Sequence, residues 1–277
     1  MSRASMGPAD RRARRFTVLV LAGRRGSGDP LAEAAGAPHR ALLDVAGTPM
    51  LQRVLETLGH SERVASIFLS IDAPELLEEI PTIAAMLREG LVRLVPPADS
   101  PSRSVLAAID AIKTIGDEAP LLVTTADHAL LDEAMLSHFL GEAEESDADL
   151  AIALVPASVI QARFPEAKRT YLPFRGERYS GANLFALLTP DAVRAVEFWQ
   201  KAEHFRKQPW RMVSAFGPLT LLLFLARRLD LRAAFRRASR VIGVRLHAVT
   251  MPMAEAAVDV DKLSDLELVN RILAERA

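Results

Sequence analysis

Two acidic patterns and one cationic loop carry the residues of this chain that could do chemistry. The apolar run Pro120-Leu-Leu-Val-Thr-Thr125 ends at Ala126-Asp127-His128, and much later Val258-Asp-Val-Asp261 alternates valine with acid. An acid at the end of a buried strand can hold a divalent metal whose octahedron is completed by waters and phosphate oxygens. A turn or helix-cap aspartate is the competing reading of Asp127. On a strand, Asp259 and Asp261 would project to one face while the valines enter the core. Two like charges side by side raise each other's pKa unless a cation intervenes. A metal facing Asp127 would supply that cation; otherwise Asp261 caps the last helix and Asp259 is simply exposed. His128 reads as structural or supporting.

The cationic side begins at Phe16-Thr-Val-Leu-Val-Leu-Ala22, which opens into Gly23-Arg-Arg-Gly-Ser-Gly-Asp-Pro30. A strand ending in a glycine-rich, cationic loop presents backbone N–H groups and positive charge to a phosphate. The two commonest phosphate loops are excluded. A P-loop needs Lys-Ser or Lys-Thr where Asp29-Pro30 stands, and a dinucleotide fingerprint starting at Gly26 and Gly28 needs a small residue where Leu31 stands. Arg40, just before Ala41-Leu42-Leu43, is the third cation. Ser100-Pro-Ser-Arg-Ser-Val105 lies between a strand and a helix, where its hydroxyls suit either a helix cap or a nucleotide. In Tyr179-Ser-Gly-Ala-Asn-Leu-Phe185, Gly181 and Asn183 could position an acceptor or satisfy a turn.

Periodicity supplies the elements that hold these residues. Strands are expected at 16–22, 64–71, 91–95, 120–125 and 149–156, and helices at 49–59, 74–89, 102–115 and 132–145. Thr48 is expected to cap the first of these helices, with Pro49 at its first position. The alternation of strands with helices predicts a parallel sheet covered on both faces, with ligands beyond the strand C-termini. A hairpin around Arg175-Gly-Glu177 spans 169–186. Residues 190–240 read as helical, interrupted by Pro209 and Gly217-Pro218. Strands near 241–250 and at 256–260 precede a final helix opened by the capping box Ser264-Asp-Leu-Glu267.

Composition bounds the function classes. With 277 residues, half of them apolar and a quarter charged, the chain is globular. We expect residues 1–15 to be a disordered lead-in and 16–277 one domain with a helical insertion at about 190–240. The net charge of −1 gives no reason to expect a nucleic-acid partner. The absence of cysteine rules out disulfides, thiolate metal sites and cysteine nucleophiles, and fits a cytoplasmic protein. Leu219–Ala226 falls short of the ~20 residues of a membrane span. It reads more readily as a buried helix than as a peripheral contact with lipid.

Taken in order, these pieces resemble the nucleotidyltransferases of the molybdenum-cofactor (MobA-like) and sugar-phosphate type. Leu21-Ala-Gly23 with its Arg/Gly loop is similar to their opening signature. Arg40-Ala-Leu-Leu-Asp-Val-Ala-Gly-Thr-Pro-Met50 is similar to their Lys-x-Leu-x-x-x-x-Gly-x-Pro-Leu segment. Thr125-Ala-Asp-His128 resembles their metal-binding turn, and Val258–Asp261 with Ser264-Asp-Leu266 their late acidic motif. Ser102-Arg-Ser-Val105 is similar to the nucleotide-contacting helix start of related cytidylyltransferases. The resemblance covers about 16–186 and 246–275.

It implies an α/β fold, a Rossmann-like, glycosyltransferase-A-type, mostly parallel sheet flanked by helices, with the helical insertion in the C-terminal half. Leu21, Ala22, Gly23, Arg24, Gly26, Ser102, Arg103 and Ser104 would contact a nucleoside triphosphate. Arg25, Arg40 and Asp127 would be catalytic, and Gly181 and Asn183 would meet the acceptor. Asp127 with Asp261 would hold Mg²⁺, Asp259 being the rival second ligand. The implied reaction transfers a nucleoside monophosphate to a phosphorylated small-molecule acceptor and releases pyrophosphate. Sugar transfer from a nucleotide-sugar, or nucleotide binding or membrane association without catalysis, are the other functions such a fold could serve. Two departures stand out. Arginine replaces the family's lysine at 40, and a planar fork is not a compact ammonium. Asp29 adds a carboxylate beside the phosphate loop, which then makes a long excursion over Leu31–Pro38.

Overall fold

The computed structural model describes residues 14–23, 28–117, 119–202, 217–226 and 228–276. Its main sheet draws strands from both ends of the chain. β1 (Phe16–Leu21) lies at the centre, flanked by β4 (Val64–Ser70) and β6 (Leu121–Thr125), with β5 (Val92–Val95) at one edge. Beyond β6 come β9 (Arg178–Leu187), β7 (Leu150–Pro156) and β10 (Leu246–Thr250), and the short β8 (Leu172–Pro173) pairs with β9. The β1, β4, β5 and β6 ladders are parallel, as is β7 with β10. β9 runs antiparallel to both β6 and β7, so the sheet is mixed but mostly parallel, as expected. The hairpin that turns at Arg175-Gly-Glu177 feeds β9 back between two strands that point the other way.

Alternation along β1 divides the core. Val18 and Val20 pack on α2 (Met50–His60) and α5 (Glu133–Glu145), while Leu19 faces α4 (Pro101–Thr114) and α7 (Val193–Ala202). These strands are apolar on both faces because helices cover both faces. The parallel strands therefore all deliver their C-terminal ends to one rim. Backbone bonds bind that rim together: Ala22 N–H donates to Ser70 C=O (2.8 Å) and Ala126 N–H to Leu21 C=O (2.9 Å).

Several local expectations are corrected. Thr48 does not cap α2. It pairs with Val45 in a small ladder of β2 (Asp44–Val45) and β3 (Thr48–Pro49), whose tight turn holds both Ala46 and Gly47 at positive φ. The expected helix 74–89 is split into a 3-10 helix, Pro74–Glu79, and α3 (Pro81–Arg88), because Ile80 precedes a proline and is held extended. The Leu31–Pro38 excursion begins with α1 (Pro30–Ala34) rather than running as a loop. Residues 256–260 are no strand: a 3-10 turn, Ala254–Ala257, leads into an extended segment with no ladder. Val258 and Val260 are still fully buried, so the alternation of valine and acid was read correctly. The last helix, α10 (Leu263–Arg276), starts before Ser264. Asp265, not Glu267, reaches back to accept from the N–H groups of Asp261 (3.1 Å) and Lys262 (3.2 Å).

In the 190–240 block the described helices are α7, α8 (Pro218–Leu225) and α9 (Leu231–Ile242). Thr220 on α8 is buried and Phe224 packs edge-on to Phe174, but Leu222 is 63% exposed. Hence α8 is only partly buried. No helix among the described residues is long and apolar enough to cross a membrane. The expected lead-in lies outside the described residues up to residue 13; Arg14 and Arg15 donate to the carbonyls of Leu188 and Val64.

Candidate active site

The rim formed by β1, β4 and β6 gathers the acids. Asp127 lies one residue beyond the bond that joins Ala126 to Leu21, and its own carbonyl accepts from Val260 N–H (3.1 Å). That single bond brings the late acidic segment across to the end of β6. Thr125 Oγ1 donates to the Asp127 carboxylate (2.5 Å), and no arginine or lysine pairs with it among the described residues. Burial pushes its pKa up to about 6; the negative charges of Asp259 and Asp261 add to this, while the Thr125 hydroxyl and the Arg40 charge oppose it.

The other two acids are differently placed. Asp259 is gripped by Arg169, whose Nη1 lies 2.5 Å from Oδ1 and 3.3 Å from the Asp259 carbonyl. Arg169 is 7% exposed and also lies 3.5 Å from Asp265. Burial nevertheless raises the Asp259 pKa, against the pull of Arg169. Asp261 is paired with Arg40 at 2.5 Å, and the same guanidinium donates to the Val260 carbonyl at 2.6 Å. Each of these acids therefore has its own guanidinium, and the like-charge problem seen in the sequence is met by arginine rather than by metal alone.

Asp29, the apparent oddity of the phosphate loop, caps α1 by accepting from Leu31 and Ala32 N–H (3.0 and 3.2 Å). It also lies 4.0 Å from Arg40, so its charge is partly offset. Gly23 ends the described residues before they resume at Gly28, and it lies close enough to the 96–105 segment that an added Cβ would lie 3.8 Å from Pro97 Cβ. Arg24, Arg25 and Gly26 lie outside the described residues.

On the neighbouring segment Ser100 caps α4. Ser102 and Ser104 are buried: Ser102 Oγ lies 3.1 Å from Ser100 Oγ, and Ser104 Oγ accepts from Ala98 N–H (2.9 Å). Arg103 is exposed and paired with Asp99 (2.7 Å). Gly181 and Asn183 lie on β9 where its register with β7 is interrupted. Asn183 adopts φ 49°, and its Nδ2 lies 3.5 Å from Asp259 Oδ2, so this amide faces the acids. His128 is fully buried, and burial lowers its pKa to about 4, so the ring is neutral.

Arg169 was not foreseen from the sequence; an arginine ahead of a hairpin carries no spacing signal. His39 and Asp72 were also missed. His39 is buried at the turn that presents Arg40 and lies 3.0 Å from Asp72.

The chain matches the MobA-like NTP transferase domain over residues 18–214. It belongs to that family. The solved structures agree. A hypothetical transferase from Thermus thermophilus is 29% identical, with a TM-score of 0.73 over 91% of this chain and 99% of that one. Two more distant structures share the fold. A CMP:2-keto-3-deoxy-manno-octonic acid synthetase complexed with CTP is 15% identical (TM-score 0.57, covering 95% of this chain and all of that one). A 4-diphosphocytidyl-2C-methyl-D-erythritol synthase from Anaerococcus prevotii is 13% identical (TM-score 0.57, 97% and 100%). No curated protein matches the chain. The protein is thus a nucleotidyltransferase-family enzyme with a mixed α/β sheet, and Asp127, Arg40, Asp259 and Asp261 meet at the rim of that sheet.

Among the described residues no three His, Cys, Asp or Glu side chains form a cage for a metal ion. Mg²⁺ does not require one, since it is commonly held by one or two carboxylates with waters and substrate phosphates. Hard carboxylate oxygens, those of Asp127 without a cationic partner among the described residues, fit that ion.

Proposed function

We propose that this family member catalyses Mg²⁺-dependent transfer of a nucleoside monophosphate to a phosphorylated small-molecule acceptor. An acceptor phosphate oxygen attacks the α-phosphorus of the triphosphate, the bond to the bridging oxygen of the β-phosphate breaks, and pyrophosphate leaves. The observation that carries this reading is Asp127, a recessed carboxylate at the sheet rim that two more acids render still harder to ionise. Such a placement costs stability unless a cation completes it.

Asp127 and Asp261 would hold Mg²⁺. Asp261 is favoured over Asp259 because it is the more exposed and is held through one oxygen, whereas Arg169 clasps Asp259 at both carboxylate and carbonyl. The ion would neutralise charge on the phosphates. Arg40, sharing its charge between Asp261 and Asp29, is free to turn a guanidinium N–H toward a triphosphate. The glycine-rich loop with Arg24 and Arg25 would cradle the β- and γ-phosphates, and Leu21, Ala22, Gly23 and the 102–104 segment the nucleoside. Gly181 and Asn183 would border the acceptor. Strands from both halves of the chain in one sheet support a single domain carrying the 190–240 helices as an insertion.

Pyrophosphate release with the four nucleoside triphosphates, Mg²⁺ and a panel of phosphorylated acceptors tests this reading. Wild-type turnover should be abolished by chelator and by Asp127→Ala, which should still fold. Normal turnover by Asp127→Ala sinks the assignment, and hydrolysis of nucleotide-sugars alone redirects it to sugar transfer.

A further inference from the structure

His39 pairs with none of Asp127, Asp259 and Asp261, yet its two ring nitrogens join two parts of the rim. Nδ1 accepts from Ala41 N–H (3.1 Å), capping the 3-10 turn Arg40–Leu42, and Nε2 lies 3.0 Å from Asp72 Oδ1 just beyond β4. The ring is 1% exposed. Because a backbone N–H can only donate, Nδ1 must be unprotonated, so the proton sits on Nε2 and is donated to Asp72. Arg40 is the first residue of the turn so capped, and from there it reaches Val260, Asp261 and Asp29 across the site.

We infer that His39, oriented by Asp72, is a positioning residue that fixes the backbone turn from which Arg40 meets the triphosphate. This rests on the reading that Arg40 binds triphosphate. A capped turn narrows the directions open to a long guanidinium chain, and a charge held in place beforehand needs less ordering when substrate arrives. Removing the ring leaves the Ala41 N–H without its acceptor and frees the stem of Arg40.

The test combines a ring-nitrogen NMR measurement with a double-mutant cycle. At pH 7.5 the ¹⁵N shifts of His39 should report a neutral ring protonated on Nε2; a ring protonated on Nδ1 overturns the geometry whatever the reaction. Affinity for each Mg²⁺–nucleoside triphosphate is then measured for Arg40→Ala, His39→Ala and the double variant. Arg40→Ala should weaken the preferred triphosphate about tenfold, close to one charge-assisted hydrogen bond. His39→Ala should weaken it about fivefold, and the double variant should match Arg40→Ala within about twofold. His39→Asn, whose Oδ1 can still cap Ala41, should recover most of the affinity, and Asp72→Asn should show a smaller loss in the same direction. Multiplied effects in the double variant, or unchanged affinity in both His39 variants, overturn the inference. Unchanged affinity in Arg40→Ala overturns both the role of Arg40 and the inference. Recovery in His39→Asn supports the cap on Ala41 N–H as what positions Arg40; equal loss in His39→Ala and His39→Asn overturns it.

Discussion

The end of β6 and the segment before α10 both bring acid to the same rim, but they treat it in opposite ways. On the late segment every one of the three acids has a close partner: Arg169 holds Asp259, Arg40 holds Asp261, and Asp265 accepts two backbone N–H groups. At the end of β6, Asp127 has, among the described residues, a threonine hydroxyl and no paired guanidinium, and burial raises its pKa to about 6. Ion pairs hold the late segment in place against the sheet. On the proposed reading, the Asp127 carboxylate, with no arginine or lysine partner among the described residues, is where a cation would be met. Asp261 belongs to both sides of the comparison, since its partner Arg40 is itself proposed to meet the triphosphate.

Asp127→Asn should give the sharpest break in that contrast. It keeps the acceptor for Thr125 but removes the ionisable group, so turnover should fall at least a thousandfold while the protein becomes more stable above pH 6. The folded carboxyl loses its proton near pH 6 and the unfolded one near 3.8, so between these values the folded state binds more protons. Stability therefore declines as pH rises through that window, and the loss persists above it. The relief in Asp127→Asn should be up to about 3 kcal/mol at pH 7.5, read from urea midpoints. Equal stability of the two proteins across pH 4–8 would show that Asp127 carries no such penalty.

Arg169→Met tests the other side of the comparison. Leaving Asp259 without its cation should cost about 2 kcal/mol, and adding Asp259→Asn should restore part of it. A loss that Asp259→Asn fails to reduce would place the role of Arg169 in packing. A smaller effect separates the two late acids: Asp261→Asn should raise the Mg²⁺ needed for half-maximal turnover about tenfold, and Asp259→Asn by threefold or less. The reverse order would make Asp259 the second ligand.

Much of this was legible in the residues. Near-continuous apolar runs between helical periods marked β1, β4, β6 and β7, and glycine, proline and the Asp127 turn marked the rim. Alternation in Val258–Asp261 correctly assigned the valines to the core, although that segment is not a strand; alternation reports burial of alternate side chains, and a single extended segment docked on a rim has the same pattern as a ladder. The antiparallel insertion of β9 was hidden because its neighbours are decided by pairing across the sheet, not by its own composition. Ile80 and Thr48 were missed for local reasons, a following proline and a two-residue turn, which outweighed helical periodicity. Arg169 and the His39–Asp72 pair were invisible for a different reason: their partners lie far away in sequence, and nothing in the intervening spacing marks them.

A thermal-shift titration with the four nucleoside triphosphates, with and without Mg²⁺, on wild type and Asp127→Asn, tests the central claim most directly. A ligand that binds the native state raises its apparent stability. At least one triphosphate should raise the wild-type Tm only when Mg²⁺ is present, and the same addition should leave Asp127→Asn unmoved. A Mg²⁺-dependent shift that survives intact in Asp127→Asn would contradict the claim that this unpaired carboxylate is where the cation binds.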